Sequence, residues 1–186
     1  MVQGLQPDLT RKMHGRRQAL LRLAAAAGAA VLVRPAGASA QVSDWPAGQS
    51  VPALQATDLN GKPWRLAELR GRAVLLNFWA TWCEPCRAEM PALQQLAERW
   101  GPQRLLVLAI NFMESADKAA KFVHTTGLKL PVLLDANGTA ASDWAVRVFP
   151  TTILIAADGT PRQRVRGALE WAGREGEKLV QPLLKR

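Results

Sequence analysis

Residues 73–87 of this chain read AVLLNFWATWCEPCR and contain both of its cysteines, Cys83 and Cys86. The apolar run at 73–79 shows no alternation of polar and apolar residues, which is typical of a strand covered on both faces. The run at 87–100 has apolar residues at helical spacing. The sequence therefore predicts a Cys-x-x-Cys pair at the point where a buried strand turns into a helix.

A cysteine at the start of a helix is favoured as a thiolate, because the helix dipole and the free backbone N–H groups stabilise negative charge there. The thiolate is the nucleophile in disulfide exchange, and a second cysteine one helical turn away can resolve the mixed disulfide. The spacing therefore predicts a dithiol/disulfide cycle. One alternative is a purely stabilising disulfide, worth only about 2 kcal/mol for so short a loop. The other is a metal site, although the sequence has no second Cys-x-x-Cys or His-x-x-x-His to complete a zinc shell.

The segment at 77–91, NFWATWCEPCRAEMP, resembles the active-site segment of thioredoxin-like proteins. It is most similar to the TlpA/ResA/DsbE branch of exported bacterial thiol:disulfide oxidoreductases, and the resemblance extends over residues 51–183. It implies an α/β thioredoxin fold with a mixed central sheet and helices on both faces. It also implies an N-terminal β-hairpin and a central helix–strand insertion at about residues 105–145.

The resemblance assigns roles to matching positions around the predicted helix. Cys83 is expected to be the exposed, attacking cysteine and Cys86 the shielded, resolving one. Glu89 is expected to exchange protons with the cysteines or to tune their pKa values. Thioredoxins proper carry a buried Asp where this chain has Asn77, and an amide cannot transfer protons as a carboxyl group does, so the acid function is expected at Glu89. The alternative is that Glu89 is a first-turn glutamate favoured by the helix dipole.

Pro150 matches the cis-proline that faces the cysteine pair in proteins of this kind. The X–Pro bond is the one type of peptide bond in which the cis isomer costs little. The backbone at Phe149 and Thr151 is then expected to pair with an extended substrate strand. The alternative is an ordinary trans-proline before a strand.

Three further residues in the motif are expected to tune the cysteines: Trp82, Glu84 and Pro85. Proline suits the first turn of a helix, where its missing N–H costs little. The negative charge of Glu84 is expected to raise the pKa of Cys83, which weakens the thiolate and makes the protein a better electron donor. The alternative is that Glu84 points into water and has little influence.

Residues 1–40 have the pattern of an export leader. The basic segment ends with paired arginines at 16–17, an Ala-rich apolar run covers 23–33, and the small residues at 38–40 predict cleavage after Ala40. As a helix the apolar run would span about 16 Å, short of the roughly 30 Å hydrocarbon core, so a permanent membrane anchor is the alternative. The paired arginines resemble a twin-arginine signal, and both that route and the general secretion route lead to the periplasm.

The formal net charge of +9 owes as much to the leader as to the rest of the chain. Residues 1–40 carry six basic residues and one acidic residue, which leaves 18 basic and 14 acidic residues, a net charge of +4, in the remainder. That balance, without basic runs interleaved with aromatics, argues against nucleic-acid binding. We therefore expect an export leader at 1–40, a flexible N-terminus at 41–50 and one thioredoxin-like domain at 51–186.

Periodicity and turn residues predict the remaining elements of the domain. A hairpin is expected around Asn60-Gly61, and Ser115 is expected to cap a helix. The predicted strands lie at 73–79, 105–110, 131–134, 153–155 and 162–166, and the predicted helices at 86–100, 115–125, 140–145 and 171–184, the last of them interrupted near its glycines.

The leading functional hypothesis is an exported thiol:disulfide oxidoreductase that reduces protein disulfides in the periplasm. The resemblance implies clients such as apocytochrome c or the thiols of a copper chaperone, and a membrane electron donor of the DsbD/CcdA type. No cofactor, metal or nucleic acid is expected, and contact with the membrane is expected only transiently or through an uncleaved leader.

Four alternative functions stay open at the level of the sequence. Within redox chemistry they are a disulfide oxidase or isomerase and a peroxidase of the peroxiredoxin type, in which Thr81 would help to bind peroxide. The non-enzymatic alternative is a copper-binding module that uses Cys83, Cys86 and Met90.

Overall fold

The computed structural model describes Met1 and residues 40–185. Its largest element is a six-stranded sheet. The six strands are β1 (Gln41–Asp44), β4 (Ala73–Trp79), β5 (Leu105–Phe112), β6 (Val132–Asp135), β7 (Thr151–Ile155) and β8 (Pro161–Arg166). In the sheet they stand in the order β1-β8-β7-β4-β5-β6. The neighbours β4, β5 and β6 run parallel and the remaining pairs antiparallel, so the predicted mixed sheet is confirmed.

Within the described residues, four α-helices and a small hairpin surround this sheet. The hairpin consists of β2 (Gln55–Thr57) and β3 (Pro63–Arg65), as the Asn60-Gly61 turn predicts. The helices are α1 (Glu84–Trp100), α2 (Ala116–Thr126), α3 (Thr139–Asp143) and α4 (Arg174–Val180), and single 3₁₀ turns lie at Leu66–Leu69 and Gln181–Leu184. Ser115 caps α2 by accepting a hydrogen bond from the N–H of Lys118 at 3.3 Å, which confirms the predicted helix start.

Both faces of the sheet are covered, which explains the unbroken apolar run of β4. Leu75 and Trp79 pack on the face that carries α1, α2 and α4, while Leu76 and Phe78 pack on the face that carries α3, the first 3₁₀ turn and the hairpin. Every residue of β4 is buried. The carboxyl end of β4 leads directly into α1, so the cysteine pair lies at the edge of the sheet where parallel strands end.

The prediction of a flexible N-terminus is wrong for residues 41–44. This segment is β1, and it pairs antiparallel with β8 from Gln41 opposite Arg166 to Asp44 opposite Gln163. The next residue, Trp45, donates its N–H to the carbonyl of Arg162 at 2.8 Å. The segment is ordered because β8 offers it an open edge of backbone hydrogen-bonding groups.

The predicted C-terminal helix at 171–184 is shorter in the structure. Helix α4 begins only at Arg174, after Gly173, and the chain tightens into a 3₁₀ turn at Gln181–Leu184, which contains the proline. Strand β5 is two residues longer than predicted.

The leader prediction concerns residues 1–40, and residues 2–39 lie outside the described residues. Within residues 40–185 no helix has both the length and the apolar character needed to cross a membrane.

Candidate functional site

The cysteine pair forms the N-terminus of α1 in the disulfide state. Cys83 is the N-cap residue, and its Sγ accepts a hydrogen bond from the N–H of Cys86 at 3.3 Å. Cys86 is fully buried, whereas Cys83 keeps 5% of its surface exposed, less than the exposed position that the resemblance implies. The more accessible cysteine is thus the one at the helix N-terminus, where a thiolate is stabilised.

The loop that precedes Cys83 is held by a buried carboxylate. Thr81 donates its N–H to Glu114 Oε2 at 2.7 Å and its hydroxyl to Glu114 Oε1 at 2.6 Å. Asn111 Nδ2 donates to Oε2 at 2.9 Å, and Lys118 Nζ lies 2.7 Å from Oε1. Burial alone would raise the pKa of Glu114, but the bonds from Lys118, Thr81 and Asn111 outweigh it and hold that pKa below its usual value.

From the sequence, Glu114 and Met113 could be placed at the sheet edge where sites form, as candidates for partner selection, but Glu114 could not be linked to Thr81. It lies 33 residues after Thr81, so no local spacing links the two. The one available signal was its place just after β5, at the edge of a parallel sheet where sites form. The structure adds it as the residue that fixes the loop between β4 and the cysteines.

Glu89 lies inside the protein, one turn along α1 from Cys86, and is only 4% exposed. Its Oε1 accepts a hydrogen bond from Asn77 Nδ2 at 2.7 Å. Its Oε2 accepts from the N–H of Leu169 at 3.2 Å and from the indole Nε1 of Trp171 at 3.1 Å.

Burial dominates the electrostatics of Glu89. Loss of hydration raises the pKa of this carboxyl to about 7, and the hydrogen bonds from Asn77, Leu169 and Trp171 oppose that rise. Asn77 also donates to Thr152 Oγ1 at 3.0 Å, so β4 and β7 together position the amide that contacts Glu89. A carboxyl group with a pKa near neutrality can hold or release a proton at working pH.

The Phe149–Pro150 peptide bond is cis. The Phe149 ring stands edge-on to Trp82, with ring centroids 5.8 Å apart, and lies 4.7 Å from the Phe112 ring. These contacts join the loop before β7 to the cysteine loop.

The two neighbours of Pro150 differ in whether their backbone groups are already hydrogen-bonded. Thr151 lies inside the sheet, opposite Phe78 of β4 on one side and Arg166 of β8 on the other. Within residues 40–185, by contrast, the N–H and C=O of Phe149 have no hydrogen-bond partner. Open backbone for strand pairing is therefore offered by Phe149 and not by Thr151.

An apolar surface adjoins the cysteine loop, formed by Trp82, Met113, Val148 and Phe149; we call it the apolar rim. The first three are 60%, 59% and 49% exposed, unusually high for large apolar side chains. Trp82 and Phe149 are in ring contact, and Met113 follows Phe112, which packs on Phe149.

The two residues between the cysteines occupy the first turn of α1. Pro85 lies there as predicted. The Glu84 side chain is 85% exposed and pairs with Arg87 at 2.8 Å, so water and a neighbouring cation screen its charge. This arrangement matches the alternative in which Glu84 has little influence on Cys83.

The residues of the copper-binding alternative are arranged differently. The Met90 side chain is buried in the core that α1 forms with the sheet, and the residue is 2% exposed. In the part of the chain that the structure describes, no group of three or more His, Cys, Asp or Glu side chains is arranged to hold a metal ion.

Comparisons with known proteins agree with this geometry. The model of the AhpC/TSA family matches residues 47–164. The thiol-disulfide oxidoreductase ResA of Geobacillus kaustophilus (strain HTA426) is 36% identical over 122 residues, which cover 66% of this chain and 70% of that protein.

Two solved structures have a similar fold. A secreted thiol-disulfide isomerase from Corynebacterium glutamicum superposes with a TM-score of 0.68 at 27% identity, covering 82% of this chain and 96% of that one. A thiol:disulfide interchange protein DsbE from Chlorobium tepidum has a TM-score of 0.67 at 25% identity, covering 72% and 94%. The chain therefore belongs to the AhpC/TSA family, has the thioredoxin fold, and is a thiol-disulfide oxidoreductase of the ResA/DsbE type.

Proposed function

We propose that this oxidoreductase is exported and reduces disulfides of specific proteins in the periplasm through a cycle of Cys83 and Cys86. The observation that carries the proposal is the position of Cys83. It caps α1, it is the less buried of the two cysteines, and the only hydrogen bond of its Sγ among residues 40–185 comes from the helix backbone. That environment suits a thiolate nucleophile.

The proposed cycle transfers two electrons to the client. The Cys83 thiolate attacks one sulfur of a client disulfide, an S–S bond forms between them, and the other client sulfur leaves as a thiolate that takes up a proton. The Cys86 thiolate then attacks Cys83, which releases the second client thiol and forms the Cys83–Cys86 disulfide. A membrane dithiol donor of the DsbD/CcdA type reduces this disulfide and is itself oxidised.

Glu89 is proposed as the proton-exchanging group of this cycle. It is buried one turn from Cys86, and its pKa of about 7 allows both protonation states near neutral pH. A base there can accept the proton of the Cys86 thiol before the resolving step.

Client docking is proposed beside the cis-proline. The N–H and C=O of Phe149 are available to an extended client segment. The apolar rim next to them suits apolar residues that flank a client disulfide. Such an extended segment is what the Cys-x-x-Cys region of an apocytochrome c, or a copper chaperone's cysteine loop, would supply.

Export is supported by the leader pattern and by the secreted relative from Corynebacterium glutamicum. Cleavage after Ala40 would leave β1 complete, because that strand begins at Gln41. Intact-mass analysis of the protein from a periplasmic fraction tests this, and full-length protein confined to the cytosol would refute it.

The peroxidase alternative has less support. Both donor groups of Thr81, the N–H and the hydroxyl, already bond to Glu114. They are therefore not offered to a peroxide at Cys83. Consumption of hydrogen peroxide by the reduced protein, at a rate that depends on Cys83, would restore this alternative.

The decisive experiment traps clients in the periplasm. We expect Cys86→Ser to accumulate mixed disulfides with client proteins through Cys83, and the matched control Cys83→Ser to accumulate none. Trapping by Cys83→Ser alone would reverse the two roles. A reduction potential near the DsbA end of the scale, about −120 mV, would instead make the protein an oxidase.

A further inference from the structure

Glu89, the buried acid of the site, accepts hydrogen bonds from the segment between β8 and α4. Leu169 and Trp171 both direct N–H groups at one oxygen of Glu89, Oε2, at 3.2 and 3.1 Å. Trp171 is completely buried, so its indole N–H has this carboxylate as its partner and no access to water. The segment lies about 80 residues from Glu89 in the sequence.

The position of Trp171 is fixed by how closely α4 approaches it. A Cβ at Gly176 would stand 2.1 Å from the Trp171 carbonyl oxygen, so only glycine allows this contact. Next to it, Arg99 of α1 donates to the carbonyl of Ala172 at 3.3 Å and forms an ion pair with Glu177. The turn is thus attached to α1 at Glu89 and again at Arg99.

We propose that Trp171 is a positioning residue for the redox centre, which holds the Glu89 carboxyl through its indole N–H so that this buried acid can carry a negative charge beside the cysteines. The inference deepens the proposed function, because it rests on Glu89 serving as the proton-exchanging group. It adds the segment between β8 and α4, which contains no residue of the Cys-x-x-Cys motif, to the groups that influence the cysteines.

Hydrogen bonds compensate in part for the burial of the Glu89 carboxylate. A buried carboxylate loses its hydration, and each N–H directed at it restores part of the lost stabilisation. Burial raises the pKa of Glu89, and the bond from Trp171 is one of three that oppose the rise. Trp171→Phe removes this donor but keeps an aromatic ring in the cavity, so the ionised form of Glu89 becomes harder to reach.

Few other charges act on Glu89 from the packed elements. On α1, Cys83 and Cys86 form the disulfide and carry no charge in this state, and Arg87 is engaged with Glu84. From β4 and β7 the facing groups are the neutral side chains of Asn77 and Thr152.

Between Arg166 and Lys185, the described C-terminal segment adds no close charge either. Glu170, between the two donors, is exposed, and Glu177 of α4 pairs with Arg99. Burial and the hydrogen bonds that oppose its effect, rather than neighbouring charges, therefore decide how readily Glu89 ionises.

The chain offers a matched control in Trp144. This tryptophan is also fully buried, but it packs on the opposite face of the sheet. Among the described residues its indole nitrogen has no hydrogen-bond partner. Trp144→Phe therefore creates a similar cavity without removing a bond to Glu89.

The test is an NMR titration of the oxidised full-length domain with ¹³C-labelled glutamate side chains, in which Glu89→Gln identifies the Glu89 signal. We expect the Glu89 midpoint to rise by about one pH unit in Trp171→Phe, since a hydrogen bond to a charged group is worth roughly that much, and to stay unchanged in Trp144→Phe. An unchanged midpoint in Trp171→Phe, or an equal rise in both variants, would overturn the proposal.

The unmodified protein provides a second measurement, which does not depend on the folding of Trp171→Phe. The indole N–H resonance of Trp171 should shift with pH at the midpoint of Glu89, and this shift should vanish in Glu89→Gln. The resonance of Trp144 should not follow that midpoint. A Trp171 resonance that ignores the Glu89 titration would overturn the proposal.

A separate measurement distinguishes this inference from the proposed function of Glu89. The reduction potential is measured against pH in the wild type and in Trp171→Phe. If the Glu89 midpoint moves while the pH dependence of the potential stays the same, the proton-exchanging role of Glu89 fails and the positioning by Trp171 stands.

Discussion

Thr81 gives both of its donor groups to a single carboxylate, that of Glu114, through hydrogen bonds of 2.7 and 2.6 Å. This pairing connects the loop before the cysteines to the end of β5. It also fixes the direction in which the chain enters α1, and so the position of Cys83.

Replacement of Glu114 by glutamine should loosen this loop. An amide nitrogen cannot accept a hydrogen bond, so one of the Thr81 donors loses its partner, and the half-exposed Lys118 loses its ion pair with this carboxylate. We expect a loss of roughly 1–3 kcal/mol in the free energy of unfolding and faster reduction of the disulfide by dithiothreitol. Urea unfolding and reduction kinetics measure these effects, with the exposed Glu68→Gln as the control; equal effects in both variants would contradict the assignment.

The stability of the protein should fall as pH rises from about 5 to 8, in a manner that depends on Glu89. The pKa of this carboxyl is raised from 4.5 to about 7 in the folded state. Between those values the folded protein keeps a proton that the unfolded chain has released, so the stabilisation is complete below the unfolded pKa and is lost as pH passes through the folded one. The loss is on the order of 3 kcal/mol.

The comparison that isolates this effect is Glu89→Gln. Its free energy of unfolding, from urea titrations across the same pH range, should lack that part of the slope. The exposed Glu175→Gln should keep the wild-type slope. Parallel curves for the wild type and Glu89→Gln would show that the carboxyl does not titrate in this range.

Removal of the Glu84 charge should change the redox equilibrium only slightly. The side chain is mostly in water and pairs with Arg87, and such exposed pairs contribute about 0.2–1 kcal/mol. We expect Glu84→Gln to alter the equilibrium constant with glutathione by less than about fivefold. A larger change would restore the hypothesis that this residue tunes Cys83.

Gly176→Ala should be strongly destabilising, because the new Cβ would lie 2.1 Å from the carbonyl oxygen of Trp171. The backbone must shift, and overpacking of this kind costs about 1–3 kcal/mol or more. The matched control is Gly173→Ala, whose Cβ would meet the flexible Glu170 side chain at 3.1 Å. In urea unfolding, Gly176→Ala should have a lower midpoint than Gly173→Ala. Equal midpoints would contradict the close approach of α4 to the Trp171 carbonyl.

The parts of the fold that could be predicted from the sequence are those that depend on local signals. Strand β4 has the predicted bounds because its apolar run ends where the cysteine loop begins. Helix α2 begins after Ser115 and ends at Gly127, in a left-handed conformation, because a cap and a stop signal stand at its ends. The cysteine pair lies at the predicted junction for the same reason.

The rest of the fold and of the site depends on contacts between segments that lie far apart in the sequence. Strand β1 forms only because β8, some 120 residues later, presents an open edge, and its own composition resembles a loop. The bond between Thr81 and Glu114, and that between Glu89 and Trp171, likewise join residues that no periodicity connects. Glu89 could be proposed as an acid from its spacing, but the donors that hold it become visible only after folding.

Strand β1 has a consequence for the proposed export. An uncovered strand edge is a template for pairing with another chain, and proteins avoid such edges because they lead to aggregation. The four residues from Gln41 to Asp44 cover the edge of β8. Trimming beyond Asp44 would expose that edge, so under the proposed export the position of leader cleavage would affect solubility as well as delivery.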